Sequence, residues 1–389
     1  MAMQKRHVIA DGEKPCHEVR ARKDQIMTSV AQKKAGIFVA PSKRDFDTLS
    51  ASLRQWFSSR LPTATDIDLT NFEYPTGSGQ SHETILFDAV WTQDGVRHDR
   101  GLVVRIKPTT FTVFMDDMFV EQYRIMQVMR ESGRVRIAEL LWLEEDPAIL
   151  GAPFFVMEKL DGRVPVSIPS YMETGWVVDA TVEDRSRMWR NGVCQLAAIQ
   201  SIPVTAAPFL ARPEEGDPFM QEWTRWSRYL DVLEQREPAP FHREVHRRLE
   251  REFPANRREG IVWGDARLGN MMFGEDMEVL AVMDWEQPGL GGALHDLGWW
   301  MFNDRLKIIA RGGSLLEGYG SRDDTIALWA SETGLPVDDV DWYEAFAGFK
   351  IMCTYWSMLH LRSQPKPDVA REAMGQEILK LLGAAEEGR

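Results

Sequence analysis

Cysteine is scarce in this sequence of 389 residues, with only Cys16, Cys194 and Cys353. Their wide spacing contains neither a C-x-x-C metal pair nor a disulfide framework, so the pattern fits a reducing compartment and we expect a cytoplasmic protein. Long apolar runs are also missing: no stretch reaches 18 apolar residues, and the first residues are too polar for a secretory signal. The sequence therefore predicts neither a membrane span nor a membrane partner.

An excess of positive charge is lacking as well. The 46 Lys and Arg residues stand against 59 Asp and Glu residues, which gives a formal net charge of −13. This balance argues against binding to the phosphate backbone of nucleic acid. The chain also has no G-x-x-x-x-G-K-[ST] loop and no G-x-S-x-G elbow, which excludes a Walker-type ATPase and an α/β-hydrolase.

The chain divides into a strand-rich part and a helix-rich part. The composition of residues 1–36 indicates a flexible tail. A helix is predicted to follow, from an N-cap at Ser42 up to Pro62. Alternating apolar residues and turn signals predict strands over 67–74, 84–91, 102–106, 135–143 and 154–157, interrupted by a helix over 117–131. We expect residues 37–160, which carry these strands, to form one lobe.

Helical periodicity dominates the second part, residues 161–389. The predicted helices cover 187–200, 219–234, 241–253, 294–302, 322–333 and 342–361, with one short hairpin over 270–273 and 279–283. One of these helices carries His242 and His246, four residues apart. The sequence offers no third metal ligand beside them, so we expect them to lie on a solvated helix face and not to bind a metal. Together the two parts predict an α+β fold with a small antiparallel sheet and a mainly helical second lobe.

The chemistry concentrates around this hairpin. Asp265 precedes Asn270 by five residues, and the hairpin ends at a second carboxylate, Asp284. Kinases use such a loop so that the first carboxylate accepts a hydrogen bond from the attacking hydroxyl, while the amide oxygen and the second carboxylate hold Mg²⁺. Arg267 is placed to offset charge on the γ-phosphate, or else it is a structural cation paired with a neighbouring acid.

Three segments carry a family resemblance: 263–270, 282–286 and 295–299, reading WGDARLGN, VMDWE and HDLGW. The chain resembles the aminoglycoside phosphotransferase and choline kinase-like family of small-molecule kinases, over about residues 42–362. Within that family it is most similar to kinase domains fused to acyl-CoA dehydrogenases. The resemblance implies a protein-kinase-like bilobal fold, ATP and Mg²⁺ as cofactors, and a small-molecule hydroxyl acceptor such as a hydroxyacyl-CoA or a lipid-derived alcohol. An aminoglycoside- or choline-type acceptor is the alternative.

The same resemblance assigns roles to residues of this sequence. Asp265 matches the catalytic base, Asn270 and Asp284 match the magnesium ligands, and Asp296 matches an aspartate that braces the site. The loop over the nucleotide phosphates matches Gly77, Ser78, Gly79, Gln80 and Ser81. Arg105 matches the third-strand cation that contacts the phosphates, with Lys107 on the same side of the strand as the competing choice.

The strand that ends near Glu158 and Leu160 resembles the hinge whose backbone reads the adenine edge. Two positions depart from the family pattern. Gln122 stands where the helix glutamate that pairs with the cation is expected, so either Glu121 takes that role through a register shift or the pair becomes a neutral hydrogen bond. Trp263 replaces a histidine and is expected to brace the loop by packing. These departures keep open a nucleotide-binding pseudokinase with a regulatory role.

Large aromatic side chains recur at helical spacing in the second lobe. They favour core packing, although an apolar acceptor pocket is the alternative. The set comprises Phe219, Trp223, Trp226, Tyr229, Trp299, Trp300, Trp342, Tyr355 and Trp356.

Overall fold

The computed structural model describes residues 44–75, 83–109, 114–361 and 368–387. The predicted tail and the five residues of the predicted phosphate loop, Gly77 to Ser81, lie outside these ranges. Within them the protein has the expected α+β, kinase-like bilobal fold. The position of the lobe boundary at residue 160 stays a prediction.

The amino-terminal lobe is a five-stranded antiparallel sheet in the order β1-β2-β3-β5-β4. Its elements are α1 (Phe46–Arg60), β1 (Thr65–Glu73), β2 (Glu83–Gln93), β3 (Val96–Ile106), α2 (Phe119–Glu131), β4 (Leu140–Glu144) and β5 (Phe154–Glu158). The predicted N-cap at Ser42 is wrong: the side chain of Asp45 accepts a hydrogen bond from the Asp47 N–H and caps α1. A short acceptor directly before the first turn satisfies an otherwise unpaired helix N–H.

The two faces of this sheet have different neighbours. On one face Trp56 of α1 packs against Phe154 of β5, with ring centroids 4.8 Å apart. On the opposite face Phe119 and Tyr123 of α2 pack against Phe155, at 5.4 and 5.5 Å. Arg105 of β3 is the cross-strand partner of Phe155. Because side chains alternate along strands, Arg105 lies on the face that α2 covers, toward the second lobe.

The second lobe is helical apart from one hairpin. Its helices are α3 (Trp176–Asp179), α4 (Val182–Gln200), α5 (Pro218–Arg236), α6 (Pro240–Arg251), α7 (His295–Arg311), α8 (Arg322–Thr333), α9 (Val340–Leu361) and α10 (Asp368–Glu387), and its hairpin is β6 (Met271–Phe273) with β7 (Val279–Val282). Helices α7 and α9 approach closely at Gly298, where an added Cβ would lie 2.5 Å from the Tyr343 carbonyl oxygen.

The aromatic side chains of this lobe form its core, as the helical spacing favours. Tyr355 is half-buried and the other eight are buried. The solvated face predicted for His242 and His246 is wrong, because both side chains are buried. The His246 ring stacks on Trp223 at 4.4 Å and its Nε2 lies 2.8 Å from the Ser227 hydroxyl. Among the described residues, no helix is long and apolar enough to cross a membrane.

Candidate active site

The loop that carries Asp265 is fixed at its start by Gly264 and Asp296. Gly264 has φ +101°, and an added Cβ would lie 2.4 Å from the Gln287 carbonyl oxygen, so only glycine fits here. The Asp296 carboxylate, in the first turn of α7, accepts hydrogen bonds from the N–H groups of Trp263 (2.7 Å) and Gly264 (3.0 Å). Burial raises the pKa of Asp296 to about 6, although these two bonds act to lower it. The geometry is that of the predicted brace.

Three side chains hold the Asp265 carboxylate. Asn270 Nδ2 donates to Oδ2 at 2.7 Å, Trp299 Nε1 donates to Oδ1 at 2.9 Å, and Arg267 Nε lies 3.0 and 3.1 Å from the two oxygens. The carboxylate nevertheless keeps 29% of its side-chain surface exposed. Hydrogen bonds to both oxygens fix the orientation of this group, while its exposed part stays open to an acceptor hydroxyl.

Of the two predicted readings of Arg267, the structure contains the ion pair with a neighbouring acid, and its role at the γ-phosphate stays a prediction. Arg267 pairs with the neighbouring acid Asp265, and its Nη1 also donates to the Ser167 hydroxyl at 2.5 Å. Burial acts to lower the pKa of Arg267, but the carboxylates of Asp265 and then Asp284 raise it. A permanently charged guanidinium therefore lies beside the candidate base.

The hairpin brings Asn270 and Asp284 together. Met271 pairs with Val282, and the Met283 N–H donates to the Asn270 carbonyl at 2.9 Å, so the two candidate ligands flank the same end of the hairpin. Asn270 uses its amide nitrogen on Asp265, which leaves the amide oxygen for a metal. Asp284 adopts a left-handed backbone conformation with φ 61°, which aspartate tolerates better than most residues.

The donor set fits Mg²⁺ held jointly by protein and nucleotide. Burial and the nearby Glu286 raise the pKa of Asp284 to about 6, and a cation beside this carboxylate would favour its charged form. Within the described ranges, no group of three or more His, Cys, Asp or Glu side chains could hold a metal by itself. One amide and one carboxylate match the Mg²⁺ mode in which phosphates and waters complete the octahedron.

Of the two candidate cations, Arg105 in β3 contacts the carboxylates that follow the hairpin. Its Nη2 lies 3.0 Å from Glu286 Oε1 and 3.4 Å from Asp284 Oδ1. Lys107 instead pairs with Asp117, in the segment before α2. The geometry therefore favours Arg105 over Lys107 as the cation nearest the candidate metal ligands.

The helix residue expected to pair with this cation, Gln122, forms no such hydrogen bond in the described part of the chain. Gln122 is fully buried, and neither its Nε2 nor its Oε1 has a hydrogen-bond partner among the described residues. Glu121 is half-buried and forms no ion pair in the described part of the chain. The register shift that would bring Glu121 onto Arg105 is absent from this conformation.

Trp263 braces the site both by packing and by a hydrogen bond. Its indole is fully buried with its ring centroid 5.9 Å from that of Trp285. Its Nε1 donates to the Met283 carbonyl at 2.8 Å, directly before Asp284. The tryptophan thus links the loop of the candidate base to the loop of the candidate metal ligand.

The predicted hinge follows β5. The Glu158 N–H donates to the Glu139 carbonyl, and the Lys159 N–H donates to the Gly101 carbonyl. These two donors are therefore used within the sheet, and the adenine-reading roles of the backbone at Glu158 and Leu160 stay predictions.

Sequence reasoning missed Glu286 and Ser167 as site residues and treated Trp299 as core. Glu286 stands two residues after Asp284, so a search for carboxylates beside the metal ligand would have found it. Trp299 lies one helical turn after Asp296, which places it on the same face of α7. No sequence signal indicates Ser167.

The fold is the one that phosphotransferases of the kinase type share. The chain belongs to the phosphotransferase enzyme family (APH), whose sequence pattern matches residues 80–333. It is 26% identical over 267 residues, or 65% of this chain, to acyl-CoA dehydrogenase family member 10 of Mus musculus. The match covers 24% of that relative, so the chain spans about a quarter of its length.

Solved structures share the fold. A presumed aminoglycoside phosphotransferase of Ralstonia eutropha superposes with a TM-score of 0.62 at 21% identity, covering 88% of this chain and 99% of that one. Choline kinase LicA of Streptococcus pneumoniae gives a TM-score of 0.52 at 11% identity, covering 86% of this chain and 99% of that one. At these identities the likeness supports the fold and leaves the acceptor open.

Proposed function

We propose that the protein transfers the γ-phosphoryl group of Mg²⁺-bound ATP to a hydroxyl group of a small molecule. The observation that carries this proposal is the Asp265 carboxylate, held by Asn270 and Trp299 beside the hairpin that brings Asn270 next to Asp284. Asp265 accepts the proton of the attacking hydroxyl, and its fixed orientation aligns that hydroxyl with the phosphoryl group. When bound, Mg²⁺ neutralises charge on the phosphates.

Other residues bind and orient the nucleotide in this proposal. Asn270 and Asp284 hold the metal, Arg105 contacts the phosphates from the sheet side, and Arg267 offsets charge near the transferred group. The backbone at Leu160 reads the adenine edge. The loop from Gly77 to Ser81, outside the described residues, covers the phosphates.

For the acceptor, we propose an anionic molecule such as a hydroxyacyl-CoA. Its support is the name of the acyl-CoA dehydrogenase relative. The arginines near the lobe junction supply no free positive charge for such a ligand: Arg212, Arg225 and Arg228 contact Asp116, and Arg225 and Arg228 also pair with Glu222 and Glu215. The acceptor panel below therefore decides between anionic and cationic acceptors.

The test is ADP release from Mg²⁺-ATP with a panel of acceptors: hydroxyacyl-CoAs, the matching free hydroxy acids, sugars, choline and aminoglycosides. Asp265→Asn is the control variant, because it keeps the shape of the side chain and removes the base. We expect acceptor-dependent release that falls roughly 100- to 10,000-fold in the variant.

The panel also separates the alternatives. Turnover with choline or an aminoglycoside but with no hydroxyacyl-CoA would overturn the anionic acceptor and keep the kinase. ADP release that is the same in the wild type and in Asp265→Asn, with every acceptor, would leave the nucleotide-binding pseudokinase as the better description.

A further inference from the structure

A buried guanidinium needs a counter-ion, and the usual source of that charge is missing here. Protein kinases pair the third-strand cation with a glutamate on the following helix. In this chain the corresponding helix position is Gln122, a neutral side chain that supplies no charge. Only 11% of the Arg105 side-chain surface is exposed to solvent, so the desolvation penalty would be large if this charge had no counter-ion.

The counter-ion comes from the other lobe. Glu286 follows β7, its side chain is 8% exposed, and its Oε1 lies 3.0 Å from Arg105 Nη2. Asp284, 3.4 Å from the same nitrogen, is the second carboxylate in reach. With two carboxylates beside one guanidinium, Arg105 keeps a counter-ion even when Asp284 serves as a metal ligand.

Gln122 lies on the helix that covers the Arg105 face of the sheet. Phe119, Gln122 and Tyr123 occupy one face of α2, and the two aromatic rings contact Phe155, the cross-strand partner of Arg105. Residues three and four apart share a helix face, so Gln122 shares with Phe119 the face of α2 that packs on this side of the sheet. Its buried amide has no partner among the described residues.

We propose that Glu286 replaces the helix glutamate as the positioning residue for Arg105, so that the ion pair of this kinase runs between the lobes instead of within the amino-terminal lobe. The inference rests on the proposed nucleotide site. Because β3 and the loop after β7 belong to different lobes, opening of the cleft breaks this pair, and closure both sets the cation and brings Asp284 beside it.

Four variants of the full chain test the exchange: Glu286→Gln, Gln122→Glu, the combination of the two, and Glu131→Gln. Glu131 is an exposed glutamate at the end of α2 and serves as the matched control. The first readout is urea unfolding without nucleotide. We expect Gln122→Glu to lower the unfolding midpoint in the wild type, where Arg105 is already paired, and to raise it in the Glu286→Gln background.

The second readout is the steady-state rate of ADP release from Mg²⁺-ATP. We expect Glu286→Gln to lower kcat at least tenfold and the combined variant to recover most of that loss. Recovery of kcat by a carboxylate at position 122 reports on the charge beside Arg105. A purely structural defect at position 286 would not be repaired by a carboxylate on α2. Glu131→Gln leaves both readouts unchanged.

Several results would overturn the proposal. One is a wild-type kcat in Glu286→Gln. Others are a Gln122→Glu substitution that destabilises both backgrounds equally and a combined variant with no recovery of kcat. A fifth variant, Glu121→Gln, with the same loss of kcat as Glu286→Gln would also overturn it. Failure of the proposed function can be told apart from failure of this inference. A wild type that releases no ADP would overturn the kinase activity. The opposite shifts of the unfolding midpoint caused by Gln122→Glu in the two backgrounds would still report on the Arg105–Glu286 ion pair.

A further variant covers a Glu286→Gln protein that does not fold. Arg105→Gln/Glu286→Gln removes both buried charges, so it folds if each is the counter-ion of the other. A double variant no more stable than Glu286→Gln would mean that Glu286 acts through another partner, which contradicts the proposal.

Discussion

The indole Nε1 of Trp299 donates a hydrogen bond to Asp265 Oδ1 at 2.9 Å. A buried aromatic side chain of α7 thereby sets the direction of the carboxylate that we propose as the base. The neighbouring Trp300 is also buried, but its indole nitrogen has no partner among the described residues. The two tryptophans allow the same chemical change to be compared with and without a hydrogen bond to Asp265.

We expect Trp299→Phe to lower kcat roughly 10- to 150-fold, because a hydrogen bond to a charged group contributes roughly 1.5–3 kcal/mol and the ring itself is retained. We expect the KM for ATP to change little, since the hydrogen bond of Trp299 goes to Asp265 and to none of the residues that we propose for the nucleotide. Steady-state ADP release measures both constants. Trp300→Phe is the control; an equal fall in kcat in both variants would contradict a specific role for Trp299.

Trp263→Phe removes the hydrogen bond to the Met283 carbonyl and keeps most of the packing. The buried carbonyl then lacks this donor, so we expect the free energy of unfolding to fall by roughly 1–3 kcal/mol. Because Met283 precedes Asp284, we also expect a higher Mg²⁺ concentration for half-maximal turnover. Urea unfolding and a magnesium titration check the two effects. Unchanged stability would mean that the indole braces the loop by packing alone.

Asp296 makes stability depend on pH. Its pKa is about 6 in the folded protein and near 3.9 in an unfolded chain, so the folded state binds more protons between these values. The contribution of Asp296 to stability therefore falls as the pH rises from about 4 through 6. Relative to the wild type, Asp296→Asn should gain up to about 3 kcal/mol between pH 4 and pH 7. If the free energies of unfolding of the wild type and Asp296→Asn, measured in urea, change in parallel with pH, the pKa of Asp296 is not raised.

Glu222 and Lys350 form a buried ion pair in the second lobe, with their charged atoms 3.3 Å apart and side chains 4% and 2% exposed. Burial raises the pKa of Glu222, but Lys350 and then Arg225 lower it to about 2. The contribution of this pair to stability is therefore complete above about pH 4.5 and lost as the pH falls through 2.

At neutral pH we expect Glu222→Gln to reduce the free energy of unfolding by roughly 3–5 kcal/mol, because it removes the carboxylate that compensates the Lys350 ammonium. Glu222→Gln/Lys350→Met should recover much of this loss, since it removes both charges. Urea unfolding of the three proteins makes the comparison. A double variant less stable than Glu222→Gln would show that Lys350 is held chiefly by the rings of Trp226, Trp299 and Phe346.

Local patterns were enough to predict most elements of this fold. The alternation in β2 and β5 and the apolar spacing in α5 and α8 are set by short segments, and the structure contains them within a few residues of the expected bounds. Helix α7 extends to Arg311, well beyond the predicted end at residue 302. The prediction ends early because the later turns of this helix are only partly buried and lack a strong apolar stripe. Helix α10 was missed altogether.

The histidines of α6 show where local reading fails. His242 and His246 lie in a helix rich in charged residues, so the sequence predicts a solvated face. In the structure α9 and α5 cover that face, and Trp356 and Trp223 pack against the two rings. Burial of a polar side chain depends on which helix arrives opposite it, and that information lies elsewhere in the chain.

The sequence by itself determined the candidate chemistry: the spacing of Asp265 and Asn270 and the hairpin before Asp284 depend on adjacent residues and short-range pairing. Tertiary structure alone decided the partners of these groups. Trp299 meets Asp265 across 34 residues and Arg105 meets Glu286 across 181, because the packing of α7 and the closure of the lobes bring them together. Contacts at such separations depend on how the elements pack, which no local pattern of residues specifies.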